Sequence, residues 1–132
     1  MHFLDTNTCI YVIRRRPPSV FARLNALSPD AIALSVVVAM ELEVGGMRAH
    51  SPAYAPAVKR LLAEFNILPL TDEAREHFVR VKCDLLKRGL LIGPMDLLIA
   101  AHALSLDATL VTNNVREFKR VAGLKLENWI ED

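Results

Sequence analysis

Cysteine clusters, glycine-rich phosphate loops, long apolar runs and a strong net charge are all missing from this chain, and each absence removes a class of protein. Cys9 and Cys83 stand far apart, outside any C-x-x-C or Cys/His cluster, which argues against a zinc site or a disulfide scaffold. Both read as reduced, core-facing thiols of a reducing compartment. Neither G-x-x-x-x-G-K-[ST] nor G-x-G-x-x-G occurs, so a nucleotide-binding loop is not supported. The longest mostly apolar stretch, residues 31–40, is too short to span a bilayer. No signal peptide is legible, because an acid arrives at Asp5 and Arg14, Arg15 and Arg16 follow the first apolar run instead of preceding it. A cytoplasmic protein without membrane attachment is expected. The net charge of +1 does not by itself announce a polyanionic partner.

What is present is enough to fold. The length of 132 residues fits a single domain, 1–132, and 52% apolar residues can fill its core without a metal staple. Short apolar runs alternate with helical segments. Strands are expected at 2–4, 31–34, 67–70, 109–111 and 124–127, the third being apolar throughout like a strand buried on both faces. Pro69 weakens that third strand, since proline cannot donate to a ladder. Helical segments are expected over 7–14, 17–27, 36–48, 54–65, 72–88, 94–106 and 115–121, with Ser35 and Thr71 as caps and Gly89 as a stop. The alternation implies an α/β fold, a mostly parallel sheet with helices on both faces and right-handed crossovers.

The first strand ends in Asp5, at the sheet edge where open α/β proteins bind ligands. Two further acids sit where solvation alone does not explain them. On a wheel of about 100° per residue, Glu41 falls among Val37, Val38, Val44 and Gly45, whereas Glu43 faces the opposite side. A buried carboxylate needs a cation or donors, so a structural ion pair with an arginine is the alternative reading. Asp96 shares its side with Ile99, Ala100 and Ala103, although an acid in a first helical turn is also welcome on dipole grounds. His102, about 120° away on that wheel, reads as structural. After the fourth strand, Asn113 or Asn114 faces Asp5 if the strand order reverses between the first and fourth strands; Asn114 is also placed to cap the next helix. Thr6, Asn7 and Thr112 bring hydroxyls and an amide to the same edge. Three carboxylates and an amide form an oxygen-only donor set, suited to Mg²⁺ or Mn²⁺ and not to zinc. A divalent ion would relieve their mutual repulsion and act as a Lewis acid for phosphodiester hydrolysis. With three acids set aside as ligands, the charge of the remainder rises to +4.

The stretches LDTNTCI, MELEVGG, IGPMDLLIAAHA and LVTNNVREF, followed by GLKLENW, resemble the PIN domain. More narrowly, they resemble the VapC group of ribonuclease toxins from bacterial toxin–antitoxin pairs. The resemblance spans nearly the whole chain and implies a PIN-like three-layer α/β/α sandwich with a five-stranded sheet. It also implies a Mg²⁺- or Mn²⁺-dependent endoribonuclease in which Asp5, Glu41 and Asp96 match the metal-site acids. Asn114 stands where many members carry a fourth acid, which puts a second tightly held metal in question; the toxins most alike in motif often have asparagines there. A homodimer with active sites along a shared groove and a VapB-type antitoxin are further implications. Segments 9–13 and 54–65 are candidate antitoxin surfaces, though ordinary core explains them equally well. A structured RNA, foremost the anticodon loop of initiator tRNA, is the implied substrate. Arg116 and Lys119, just past Asn114, are the first candidates for RNA phosphates, ahead of Arg14 to Arg16 and of Lys87 and Arg88. Of the rivals, an aspartyl-phosphate phosphatase needs an acid two residues after Asp5, where Asn7 stands. The other is a non-catalytic RNA- or protein-binding module that kept the fold.

Overall fold

The computed structural model describes residues 1–130. Five parallel strands form one sheet in the order β3-β2-β1-β4-β5: β1 His2–Leu4, β2 Ile32–Ser35, β3 Asn66–Leu68, β4 Thr109–Val111 and β5 Lys125–Glu127. The chain first steps from β1 to β2 and β3, then returns past β1 to β4 and β5. Right-handed crossovers therefore place α1 (Thr6–Arg14), α2 (Pro18–Asn25), α3 (Val36–Arg48) and α4 (Tyr54–Glu64) on one face. The crossovers carried by α5 (Asp72–Arg88), α6 (Pro94–Ser105) and α7 (Val115–Phe118) run the other way and cover the opposite face. The result is the expected three-layer α/β/α arrangement.

The central strands are buried on both sides. Phe3, Leu4, Leu34, Leu110 and Val111 are fully inaccessible, and no residue of β2 reaches solvent. The edge strands differ from expectation. β3 is exposed rather than buried on both faces, with Ile67 39% accessible, because it has only β2 beside it. It also ends before Pro69, whose missing N–H ends ladder pairing. β2 starts one residue late, since Ala31 belongs to a 3-10 turn over Pro29–Ala31, and it extends to Ser35. The 115–121 helix shortens to the single turn of α7.

Helix ends follow their local chemistry. Thr71 Oγ1 accepts from the Ala74 N–H at 3.3 Å, Asp72 and Glu73 fill the first turn of α5, and Lys87 and Arg88 its last. Gly89 then adopts a left-handed conformation with φ 66°, which glycine reaches without a Cβ penalty. α6 is apolar nearly all round, as befits a helix packed between α5 and the sheet. His102 belongs to that core: its ring meets Phe3 edge-on at 5.0 Å and its Nδ1 lies 2.8 Å from Ser35 Oγ, the oxygen that caps α3. Burial holds the imidazole below its ordinary pKa and therefore neutral, against the pull of the Pro69 carbonyl, to which Nε2 makes no well-formed bond. Cys9 is buried as expected, whereas Cys83 is exposed on α5, so only one thiol faces the core.

Two substitutions separate packing from capping. Leu34→Ala in β2 should cost about 2–5 kcal/mol by cavity formation, and Thr71→Ala about 1 kcal/mol by loss of a cap. Urea unfolding midpoints at constant m-value check both.

Candidate metal centre

Backbone pairing builds one wall of the site. β1 and β4 are in register from His2 with Thr109 to Leu4 with Val111, which brings Asp5 level with Thr112. The Asp5 N–H donates to the Val111 carbonyl at 3.1 Å, and Thr8 Oγ1 donates to the same oxygen at 3.1 Å. The Asp5 carboxylate caps α1, accepting from the Thr8 N–H at 2.8 Å. It is 4% accessible, and burial lifts its pKa above the usual carboxylate value. Hydrogen bonds from Thr112 and Thr8 pull the other way, while Glu41 adds to the rise.

The expected partners do assemble. Asp5, Thr6, Asn7, Glu41, Asp96 and Asn114 line one cleft of about 120 Å³ floored by Phe118. Thr6 Oγ1 donates to Glu41 Oε1 at 2.6 Å, so a residue two positions past the strand holds the acid from α3. Glu41 itself is half-buried at the border of the apolar face, since its wheel neighbour Val44 is 55% exposed. The arginine partner that would make Glu41 a structural ion pair is not there: among the described residues, no lysine, arginine or histidine pairs with any acid of the cleft. Asp96, in the first turn of α6, is pushed up to about 6 by burial first, then by Asp5, Glu41 and Glu117.

Two asparagines that look equivalent in sequence part company. Asn113 is exposed and turned toward β5, its Oδ1 3.5 Å from Asn128 Nδ2, and it does not line the cleft. Asn114 does, but not as a side-chain cap: its Nδ2 donates to Glu117 Oε2 at 3.0 Å, while its backbone N–H is held by Thr112 Oγ1 at 2.9 Å. Glu117 is the residue that sequence reasoning missed. Its signal was present, a carboxylate three residues after Asn114 on the same helical face, but an acid in a first turn is unremarkable on dipole grounds. Arg116 and Lys119 are exposed on the same turn and its C-terminal cap.

The donor set fits a hard divalent cation: carboxylates close enough that Glu41 lifts Asp5 and both lift Asp96, an amide oxygen, and, among the described residues, no basic side chain to neutralise them. No three of the acids, among the described residues, converge on one point as the side chains stand. That matches an ion held by one or two carboxylates and several waters better than an all-protein cage, which is how Mg²⁺ is usually bound.

Fold and cleft together define an α/β protein whose working edge is built of carboxylates and amides instead of a glycine-rich phosphate loop. A profile of the PIN domain matches residues 2–124. The chain is 42% identical over 130 residues to Ribonuclease VapC2 of Haemophilus influenzae, covering 98% of each. It is 38% identical over 127 residues to the tRNA(fMet)-specific endonuclease VapC of Shigella flexneri, covering 96% of each. The crystal structure of VapBC2 from Rickettsia felis bound to a DNA fragment from their promoter superposes with a TM-score of 0.89 at 36% identity, over 98% of both chains. The chain belongs to the PIN-domain family and, within it, to the VapC ribonuclease toxins.

An acid whose pKa is raised on folding binds its proton more tightly in the native state, so native stability falls as pH rises between the two pKa values. For Asp96 that window runs from 3.8 to about 6. In metal-free protein, Asp96→Asn should therefore melt higher than wild type above this window and match it below. Thermal scans across the window, repeated with Mg²⁺, check this; added metal should narrow the gap by stabilising wild type.

Proposed function

We propose that the cleft is the active site of a Mg²⁺-dependent endoribonuclease, with Mn²⁺ able to substitute. The observation that carries this reading is the gathering of Asp5, Glu41 and Asp96 around one cleft with, among the described residues, no cationic side chain to balance them. Asp5, Asp96 and Glu41 would hold the ion, one or two of them directly and the rest through its bound waters, with Asn114 contributing at the fourth position and Thr6, Asn7 and Thr112 supporting them. Such an ion supplies Lewis acidity and a more acidic bound water for attack on a phosphodiester. The protein's part is positional. Thr6 fixes Glu41, Thr8 fixes Asp5, and Asn114 fixes Glu117 while its own Oδ1 has no protein partner among the described residues. Asn113, expected as a supporting residue, lies outside the cleft and meets Asn128 instead. Arg116 and Lys119 stand where an RNA backbone entering the cleft would meet positive charge.

The substrate is a structured RNA, and the leading candidate is initiator tRNA cut in its anticodon loop. Support comes from the Shigella flexneri relative, which is named for tRNA(fMet). The active form is a homodimer of single-domain subunits, 1–132, in the cytoplasm. A VapB-type antitoxin restrains it, a reading supported by the VapBC assembly of the Rickettsia felis neighbour. Of the two candidate antitoxin segments, Cys9, Val12, Val58, Leu61 and Phe65 are core. Val12 and Leu61 nevertheless line a groove of about 270 Å³ together with Ile13, Phe21, Arg60 and Glu64, which would admit an antitoxin chain.

The test is incubation of antitoxin-free protein with total bacterial RNA, with Mg²⁺ or EDTA. Discrete fragments should require the metal, and Asp5→Asn and Asp96→Asn should abolish them while leaving RNA binding largely intact. Sequencing the fragment ends names the target. Folded wild-type protein that binds RNA without metal-dependent cleavage would make this a binding module instead.

A further inference from the structure

We propose that Arg88 and Arg120 form a clasp that sets the distance between two walls of the cleft, and that both are positioning residues; this rests on the nuclease reading above. One wall is the first turn of α6, which carries Asp96 and is led in by the loop 89–93. The other is α7, a single turn that carries Asn114 and Glu117 at its start and is anchored by buried Phe118. Each wall carries an acid, Asp96 on α6 and Glu117 on α7, and like charges repel. A one-turn helix has little of its own to resist that push.

The polar ties between the two segments are guanidinium to carbonyl, made in both directions. Arg88 Nη2 donates to the Arg120 carbonyl at 2.6 Å, and Asp84 Oδ2 steadies the same guanidinium at 2.6 and 3.1 Å. Arg120 Nη1 reaches back to the carbonyls of Leu90 and Leu91, each at 3.5 Å. The Arg88 bond is the strong member and the Arg120 contacts are long. The loop start is fixed independently by the Leu90 N–H, bonded to the Leu85 carbonyl at 2.9 Å. Neither arginine pairs with an acid of the cleft, so their effect is on distance and not on charge neutralisation. An arginine fork can serve two acceptors at once, which a lysine ammonium does less well.

The test uses full-length Arg88→Ala, Arg120→Ala and Arg120→Lys proteins with RNA and Mn²⁺. Expected for both alanine variants is a fall in kcat on the order of ten- to a hundred-fold, as for a misplaced catalytic group. KM should stay within about two-fold, and the Mn²⁺ concentration for half-maximal rate should rise. Arg120→Lys should fall between. Unchanged kcat and metal midpoint would overturn the proposal, and so would a change in KM alone, which would make Arg120 a phosphate contact. Hydrogen exchange over residues 90–93 and 115–120 tests the clasp without activity: it should quicken in both alanine variants, and unchanged exchange would overturn it. Wild type that fails to cleave would instead sink the nuclease reading and leave the exchange result to decide the clasp.

Discussion

The parallel pairing of β1 with β4 is the constraint on which the site depends. The Val111 carbonyl receives both the Asp5 N–H and the Thr8 hydroxyl, so one oxygen on β4 fixes the end of β1 and the first turn of α1. The strand order reverses there, and the crevice between the two carboxyl ends is where an open α/β sheet can admit a ligand. The other donors are delivered to that point: Glu41 by the helix following β2, Asp96 by α6, and Asn114, with Glu117 bonded to its amide, by the turn after β4.

Gathering acids without counter-charge works against folding, and the structure shows what tolerates it. Asp5 is compensated by the N–H and hydroxyls around it, Glu41 by the Thr6 hydroxyl, and Glu117 by the Asn114 amide. Asp96 receives no such donor among the described residues, and burial with the neighbouring acids pushes it up to about 6. Neutral donors steady the carboxylates without consuming the charge that a cation would need. An arginine in their place would stabilise the free protein and compete with the metal.

Much of this was legible in the sequence because two periodicities disagree with two residue identities. An acid on the apolar side of a helix, twice over, is expensive enough to demand an explanation, and a strand ending in Asp5 gave the acids a place to meet. Strand boundaries were less legible, since three-residue strands leave no alternation to read, and edge status depends on strand order: Ile67 looks like core and is exposed. Cys83 misled for the same reason, its exposure being set by which way α5 faces. Glu117 escaped because its role arises from a contact with Asn114 that is indistinguishable in sequence from routine helix-start chemistry. The split between Asn113 and Asn114 likewise depends on the backbone turn that Thr112 holds.

The order of the sheet has a consequence for how the chain is made. The first of the five strands lies in the middle of the sheet, and the Thr8 hydroxyl that ties α1 to the end of β4 at Val111 bridges 103 residues. During synthesis β1 can meet β2 early, but its other edge stays open until β4 has left the ribosome. Such long-range closure is slow and comes late. Asp5 and Asn114 thus become neighbours only after β4 has emerged, and a chain broken off before it would carry most of the acids without the crevice that unites them.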